Sequence, residues 1–268
     1  MPGVIFINTL KSNWRGMLGW GIGMLSLGWM IVAVIPNVDA LQQYADLVGT
    51  LPPAMLSIFG ASDVAAIATP EGFIAFGFFT YAVFILCAYG VLTGISITAG
   101  EEDSGILDMV LSQPVKRWRI IAERFAAHTI IVIGIALLSF AGIFIGSLFT
   151  QLEIDLGLAL MGCLNMIPIT LFIIAMTAVL AVIVRRKNVA MGIAGAIIIG
   201  SYFLNFLGES ATDTILADLR AASFFRYFDA STVMSEGLII GNVAVLLIVA
   251  AICFAGTIMM FERRDVGL

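Results

Sequence analysis

The amino-acid sequence predicts an all-α membrane protein with six transmembrane helices. Of its 268 residues, 61% are hydrophobic and 12% are charged, whereas a soluble domain has roughly 45–50% apolar and about 25% charged residues. The apolar residues are concentrated in blocks without Asp, Glu, Lys or Arg, and about 20 such residues cross a bilayer as a helix. The six blocks cover residues 17–35, 72–98, 126–149, 158–184, 189–208 and 238–261.

The basic residues predict the orientation of these spans. Positive side chains concentrate in cytoplasmic loops, and 11 of the 13 basic residues fall on the side that holds both termini. Only Arg220 and Arg226 lie on the other side. The first block is longer than the roughly 7–15 apolar residues of a cleavable signal peptide, so we interpret it as a retained span. We therefore expect residues 1–268 to form one transmembrane domain with both termini in the cytoplasm.

The residues before the first span predict a short interfacial helix. Phe6, Leu10 and Trp14 recur every four residues, with Lys11 and Arg15 beside them. Such a helix would place its aromatic ring at the headgroup level and its basic groups near lipid phosphate. The alternative is that these residues simply extend the first span.

The start of the second span carries a helix-initiation signal. Thr69 precedes Pro70, and a threonine followed by a proline is typical of a cap and a first helical position. We therefore expect the second span to begin at this pair.

A short amphipathic helix is predicted between the second and third spans. Its apolar stripe consists of Ile106, Leu107, Val110 and Leu111. Acidic residues precede the stripe, basic residues follow it, and Pro114 ends the helix. A helix this short does not persist alone in water. Its stripe must therefore dock either on the inner ends of its own spans or on a separate cytoplasmic protein.

Residues 102–117 combine acidic residues, Ser-Gly, this short helix, Pro-Val and two bases. This arrangement resembles the permease subunits of type-2 ABC exporters, and the resemblance extends over nearly the whole chain. The sequence departs from that pattern at Asp108, where glutamate is expected, and at Lys116, often a small polar residue. Neither departure alters the charge pattern enough to change the docking role. Supporting matches are Leu51-Pro52-Pro53, Thr69-Pro70-Glu71-Gly72, residues 224–229 and residues 261–265.

The resemblance implies that the short helix, residues 105–112, couples the membrane domain to an ATPase subunit. Two six-span permeases, identical or homologous, would sit on two ATPase subunits that bind ATP and Mg²⁺. The coupling residues that the resemblance implies are Glu102, Gly105, Ile106, Leu107, Val110, Leu111 and Pro114.

The chain itself lacks the residues of an ATP-driven motor. None of its three lysines follows a glycine, so it has no phosphate-binding loop ending in Gly-Lys-Ser/Thr. We therefore expect no catalytic residue and no cofactor in this chain. Because Cys87, Cys163 and Cys253 lack metal-ligand spacing, we expect no metal site either. A net charge of −5 gives no indication of nucleic-acid binding.

None of the spans contains Asp, Glu, Lys or Arg, the charged side chains that ion-driven carriers usually use. This argues against a cation-coupled carrier and favours an amphipathic or apolar cargo, such as a drug, a peptide or a lipid. His128, the one histidine, is expected to be a structural polar residue rather than a catalytic one.

Small residues four positions apart occur in the first and fifth spans. This spacing lets two helix backbones approach closely, and it serves packing within one chain as well as between chains. By resemblance, these two spans would meet across a dimer. The residues concerned are Gly19 and Gly23 in the first span and Gly192, Ala196 and Gly200 in the fifth.

The resemblance also implies that the second and fifth spans line the transport path. Four polar side chains on these spans are candidates for contacts with cargo. The alternative for each is an ordinary hydrogen bond between helices. The candidates are Tyr81, Tyr89, Thr93 and Asn205.

Two functions are therefore compatible with the sequence. The first is the permease subunit of an ABC exporter in a plasma membrane, here expected to be a prokaryotic inner membrane. The second is a stand-alone membrane facilitator or scaffold without an ATPase partner. Copurification of an ATPase with the chain distinguishes them.

Overall fold

The computed structural model describes residues 3–51, 64–98, 116–184, 186–210 and 218–263. The regular secondary structure of these residues is helical, with no strand. Six helices are long and apolar enough to span a membrane, which confirms the predicted fold class. They are α1 (Val4–Val34), α4 (Pro70–Thr98), α5 (Arg117–Ser147), α6 (Leu156–Val184), α7 (Lys187–Ser210) and α9 (Ile240–Glu262). The shorter helices are α2 (Val38–Gly49), α3 (Val64–Ile67) and α8 (Ala230–Glu236).

Helix α6 forms the centre of the bundle. It packs against α4, α5, α7 and α9, and its residues are buried along most of its length. The other spans each keep an outward face exposed, as expected for helices that contact lipid or a partner. The hydrophobic core therefore follows α6 from one end of the membrane domain to the other.

Helix α1 corrects the prediction of a separate interfacial helix. It is continuous over 31 residues, which is about 46 Å at 1.5 Å per residue and exceeds a hydrocarbon core of about 30 Å. Phe6, Leu10 and Trp14 lie on its first turns. The helix contains no proline and no glycine with positive φ that would break it after residue 3. The amphipathic segment is thus an extension of the first span.

A glycine seam joins α1 to α5, and we define it by Gly21, Gly28, Gly142 and Gly146. A Cβ atom added to Gly142 would lie 2.2 Å from the carbonyl oxygen of Leu25. At Gly28 an added Cβ would lie 3.2 Å from the backbone nitrogen of Ile143. The two backbones are therefore in contact, and only glycine leaves the necessary space.

Helix α4 begins as the sequence predicts. The Thr69 hydroxyl accepts a hydrogen bond from the Gly72 N–H at 3.1 Å, and Pro70 occupies the first turn. The helix then contains one π turn, Ala75–Phe79. A π turn inserts an extra residue into the helical register, so the side chains before and after it point in directions that a regular helix would not give them.

The described residues between α7 and α9, 218–239, pack against the bundle. Phe224, Phe225 and Phe228 are buried there, and the side-chain amide of Asn165 on α6 donates a hydrogen bond to the Phe228 carbonyl. Ser223 donates to the backbone carbonyl of Ser201 on α7 at 2.7 Å. Irregular backbone within a membrane domain is stable only where protein surrounds it, and these contacts provide that environment.

Candidate functional site

The predicted coupling residues lie outside the described part of the chain. Glu102, Gly105, Ile106, Leu107, Val110, Leu111 and Pro114 all belong to residues 99–115. The structure does describe the two helices that this segment joins, since α4 ends at Thr98 and α5 begins at Arg117. The arrangement of these helix ends shows what the segment is attached to.

Arg124 ties the start of α5 to the end of α4. Its Nη1 donates a hydrogen bond to the carbonyl oxygen of Ile97 at 3.0 Å. Ile97 lies in the last turn of α4, where carbonyl groups lack helical partners and a positive charge is favourable. The two helix ends that flank residues 99–115 are thus linked to each other directly.

Glu123 ties the start of α5 to the start of α1. Its two carboxylate oxygens accept hydrogen bonds from the backbone N–H groups of Gly3 and Phe6, each at 3.1 Å. Gly3 has no side chain to cap the helix, so the carboxylate of a distant helix satisfies these N-terminal donors instead. Arg119, one turn earlier on α5, donates to the same carboxylate at 2.7 Å.

Together these contacts form a cluster that we call the terminal-face node, defined by Arg119, Glu123 and Arg124. Through two adjacent residues, Glu123 and Arg124, it connects α5 to the first turn of α1 and to the last turn of α4. A displacement of α5 at this point therefore acts on three transmembrane helices.

One turn further along α5, His128 is buried against Tyr89 of α4. The Tyr89 hydroxyl and the His128 Nδ1 are 3.5 Å apart, and the Trp20 ring of α1 meets the Tyr89 ring edge to face at 5.7 Å between centroids. His128 thus occupies the buried polar contact expected of a structural residue. The same three helices meet here as at the terminal-face node.

A cavity of about 310 Å³ lies at the opposite end of the bundle. We call it the opposite-face cavity. It is bounded by the first half of α4, the last turns of α7, the segment after Arg220 and the start of α8. Within it, Arg220 donates from Nε to the Asn205 side-chain oxygen at 3.0 Å and from Nη2 to Glu209 at 3.3 Å.

The four candidate path residues occupy different environments. Asn205 lines the opposite-face cavity. Tyr89 and Thr93 are buried inside the chain, each only 6% exposed, whereas Tyr81 is 48% exposed. The structure does not assemble them into one site within a single chain, and their role in a path stays a prediction.

The small residues predicted for dimer packing lie on open surfaces. An apolar groove of about 510 Å³ runs along α1 and includes Gly19 and Gly23. A Cβ atom added to either glycine would meet no atom within 4 Å, and the same holds for Gly192 and Gly200. Ala196 is exposed as well. Within the described part of the chain, nothing packs closely on these glycines.

Among the described residues, no three His, Cys, Asp or Glu side chains form a group that could hold a metal ion. In a comparison with protein families, the model of the family described as "ABC-2 family transporter protein" matches residues 20–266, nearly the whole chain. Comparison with curated proteins gives no match.

Proposed function

The chain belongs to the ABC-2 family of transporter proteins and is a multi-pass protein of the cell membrane, and from this membership we propose that it is the permease subunit of an ATP-driven exporter. The observation that carries the proposal is the family match over residues 20–266, which includes the second half of the first span and the other five spans entirely. ABC-2 membrane subunits are non-catalytic, and their ATPase activity lies in partner subunits. In the proposal, two ATPase subunits bind ATP and Mg²⁺, and two permeases form the path.

The terminal-face node supports a coupling role for residues 105–112. This segment connects α4 to α5, and the node links the ends of these two helices to each other and to α1. When ATP draws the two ATPase subunits together, a docked segment would move with them. The node then passes the displacement to three spans at once, which is the kind of rigid-body motion that opens a membrane path.

The cargo proposed is amphipathic or apolar. The central part of every span lacks Asp, Glu, Lys and Arg, so a strongly charged solute would find no partner at mid-membrane depth. The face that bears the termini is cytoplasmic in this proposal, because it carries most of the basic residues. Export would therefore release cargo at the opposite face.

Leu107→Asp tests the docking of the coupling segment. The substitution places a charge in the centre of the predicted apolar stripe, and we expect normal membrane insertion but loss of ATPase association and of transport. Copurification of the ATPase and vesicle transport are the measurements. Met109→Asp is the matched control, because position 109 lies on the other side of the predicted helix and should retain both activities.

If Leu107→Asp keeps ATPase association and transport, the docking role of the stripe is wrong. If the wild-type chain transports its cargo in vesicles without ATP or an ATPase, the chain is a stand-alone facilitator. These two results contradict different parts of the proposal.

Gly23→Leu tests the proposed contact between two permeases. The side chain would fill the groove along α1 that a second helix needs for close approach, and we expect about a tenfold weaker dimer in lipid. The fraction of dimers is measured by single-molecule photobleaching at several lipid-to-protein ratios. Gly241→Leu on α9 is the control, since that glycine is equally open but lies away from the groove. Equal dimer fractions for the two variants would contradict packing along this face.

A further inference from the structure

The opposite-face cavity is lined by aromatic rings. Phe84, Tyr202 and Phe225 contact one another, with 4.8 Å between the centroids of Phe84 and Tyr202 and 5.5 Å between those of Tyr202 and Phe225. Phe76, at the π turn of α4, and Phe228 complete the aromatic lining. Aromatic faces carry negative electrostatic potential and attract cations, quaternary ammonium groups in particular.

The charged groups of the cavity leave one negative charge uncompensated. Arg220 is bound to Glu209 and Asn205, so its charge and that of Glu209 cancel. Asp229 accepts hydrogen bonds from the Thr232 N–H at 3.2 Å and from the Thr232 hydroxyl at 2.7 Å. Both donors are neutral, and the described part of the chain places no basic side chain in an ion pair with Asp229.

The surrounding loops have the same sign of charge. Outside the cavity lining, the described residues within 36–71, 150–157 and 209–237, the segments that connect the spans at this face, include seven acidic side chains and one basic side chain. Such an excess lowers the local potential and raises the concentration of cations at the cavity mouth. An anion would be repelled by both the loops and Asp229.

We propose that the opposite-face cavity binds a small organic cation, a molecule with one positive charge and an apolar body. The rings contact the apolar body, and the Asp229 carboxylate faces the charge. A volume of about 310 Å³ is near the lower limit of common ligand pockets, which restricts the ligand to a compact molecule. Transport of such a cation rests on the proposed exporter function, but its binding does not.

Binding is tested with the purified full-length chain in nanodiscs of neutral phosphatidylcholine. The probes are benzyltrimethylammonium, its uncharged carbon analogue neopentylbenzene and the anion phenylmethanesulfonate, each measured by equilibrium dialysis against empty nanodiscs. We expect saturable binding of the cation, about tenfold tighter than that of the neutral analogue. No saturable binding is expected for the anion.

Asp229→Asn identifies the site. Asparagine caps a helix as well as aspartate does, so α8 should persist while the charge is removed, and we expect about tenfold weaker binding of the cation. Glu236→Gln is the matched control, because Glu236 lies at the exposed end of the same helix outside the cavity lining and should bind as the wild type does. Equal affinity for the cation and its neutral analogue overturns the inference. So does unchanged affinity in Asp229→Asn, or an equal loss in Glu236→Gln.

The two proposals fail in different experiments. If the chain associates with an ATPase and transports cargo but shows no saturable cation binding, the cavity inference is wrong and the exporter proposal stands. If the cation binds as predicted but no ATPase associates with the chain, the exporter proposal is wrong and the binding site stands.

Discussion

Gly142→Ala is expected to force α1 away from α5 and to lower the free energy of unfolding by about 3 kcal/mol, the upper part of the range for overpacked cores. The added Cβ would lie 2.2 Å from the Leu25 carbonyl oxygen and 2.8 Å from two further backbone atoms of Leu25. A flexible side chain could rotate away from such a contact. A helix backbone can move only as a unit, so the whole interface must shift.

The shift would affect the rest of the glycine seam. An added Cβ at Gly146, one turn later, would lie 3.1 Å from the Trp29 carbonyl oxygen and 2.7 Å from the Val32 Cβ. The two helices are therefore held close over at least two turns. Displacing them at Gly142 weakens dispersion contacts along this length, and in a membrane these contacts supply much of the helix association energy.

Gly19→Ala is the control for this prediction. Gly19 also lies on α1, but an added Cβ there meets nothing within 4 Å. Replacement of a helical glycine by alanine is favourable by up to about 1 kcal/mol when nothing obstructs the side chain. The free energy of unfolding is measured for both variants by denaturant titration in mixed micelles. A Gly142→Ala variant as stable as Gly19→Ala would show that the helices are not in backbone contact.

Some features of this fold could be predicted from the sequence, whereas the different environments of these glycines could not. Six charge-free blocks of sufficient length were enough to predict six spans, because the cost of burying charge in lipid acts on each block separately. The helix start at Thr69 and Pro70 was predictable for the same reason, since a cap depends on neighbouring residues. The spans and this helix start both depend only on residues that are close together in the sequence.

The partners of the glycines were not predictable in this way. Gly19 and Gly23 have the same four-residue spacing as Gly142 and Gly146, yet only the second pair lies against another helix of the chain. The four-residue spacing shows only that one face of the helix carries small residues and leaves room for close approach. Which face turns towards a neighbour depends on the rotation of the helix in the bundle, and that is determined by every other contact it makes.

The terminal-face node and the opposite-face cavity depend on contacts distant in sequence. Glu123 binds backbone groups 117 and 120 positions away, and any residue except proline offers the same N–H group. The only local signal was the spacing of Arg119 and Glu123, which predicts an i,i+4 pair but no helix cap. The cavity combines four separate segments and a π turn, none of which is distinctive alone.

Glu123→Gln is expected to loosen the first turn of α1 and, in the proposed exporter, to uncouple ATP hydrolysis from transport. The carboxylate accepts from Gly3, Phe6 and Arg119. Glutamine has one acceptor oxygen, and its amide group would face a donor. Because bonds to charged groups are the stronger ones, we expect about tenfold faster hydrogen exchange at the Phe6 amide.

The functional effect follows from the position of the node. Arg124 still binds the end of α4 in this variant, so the two helix ends that flank the proposed coupling segment stay linked while α1 is released. ATPase association and hydrolysis should therefore continue in the assembled complex. Cargo moved per ATP hydrolysed should fall, because one of the three helices no longer follows the other two. Glu262→Gln is the control, since it removes a carboxylate from the exposed end of α9 and leaves the node intact.

Hydrogen exchange tests whether Glu123 binds the first turn of α1, and transport per ATP tests whether this contact transmits motion. Unchanged hydrogen exchange at Phe6 would contradict the contact itself, because an uncharged side chain cannot satisfy both N–H groups as the carboxylate does. Faster exchange with unchanged transport per ATP would support the contact between Glu123 and α1. It would contradict the role of this contact in transmitting motion from α5 to α1. A parallel loss of hydrolysis and transport would indicate that the node holds the ATPase docking segment in place. A node that transmits motion from α5 to α1 requires two results together. Hydrogen exchange at the Phe6 amide must be faster, and ATP hydrolysis must continue while less cargo is transported per ATP.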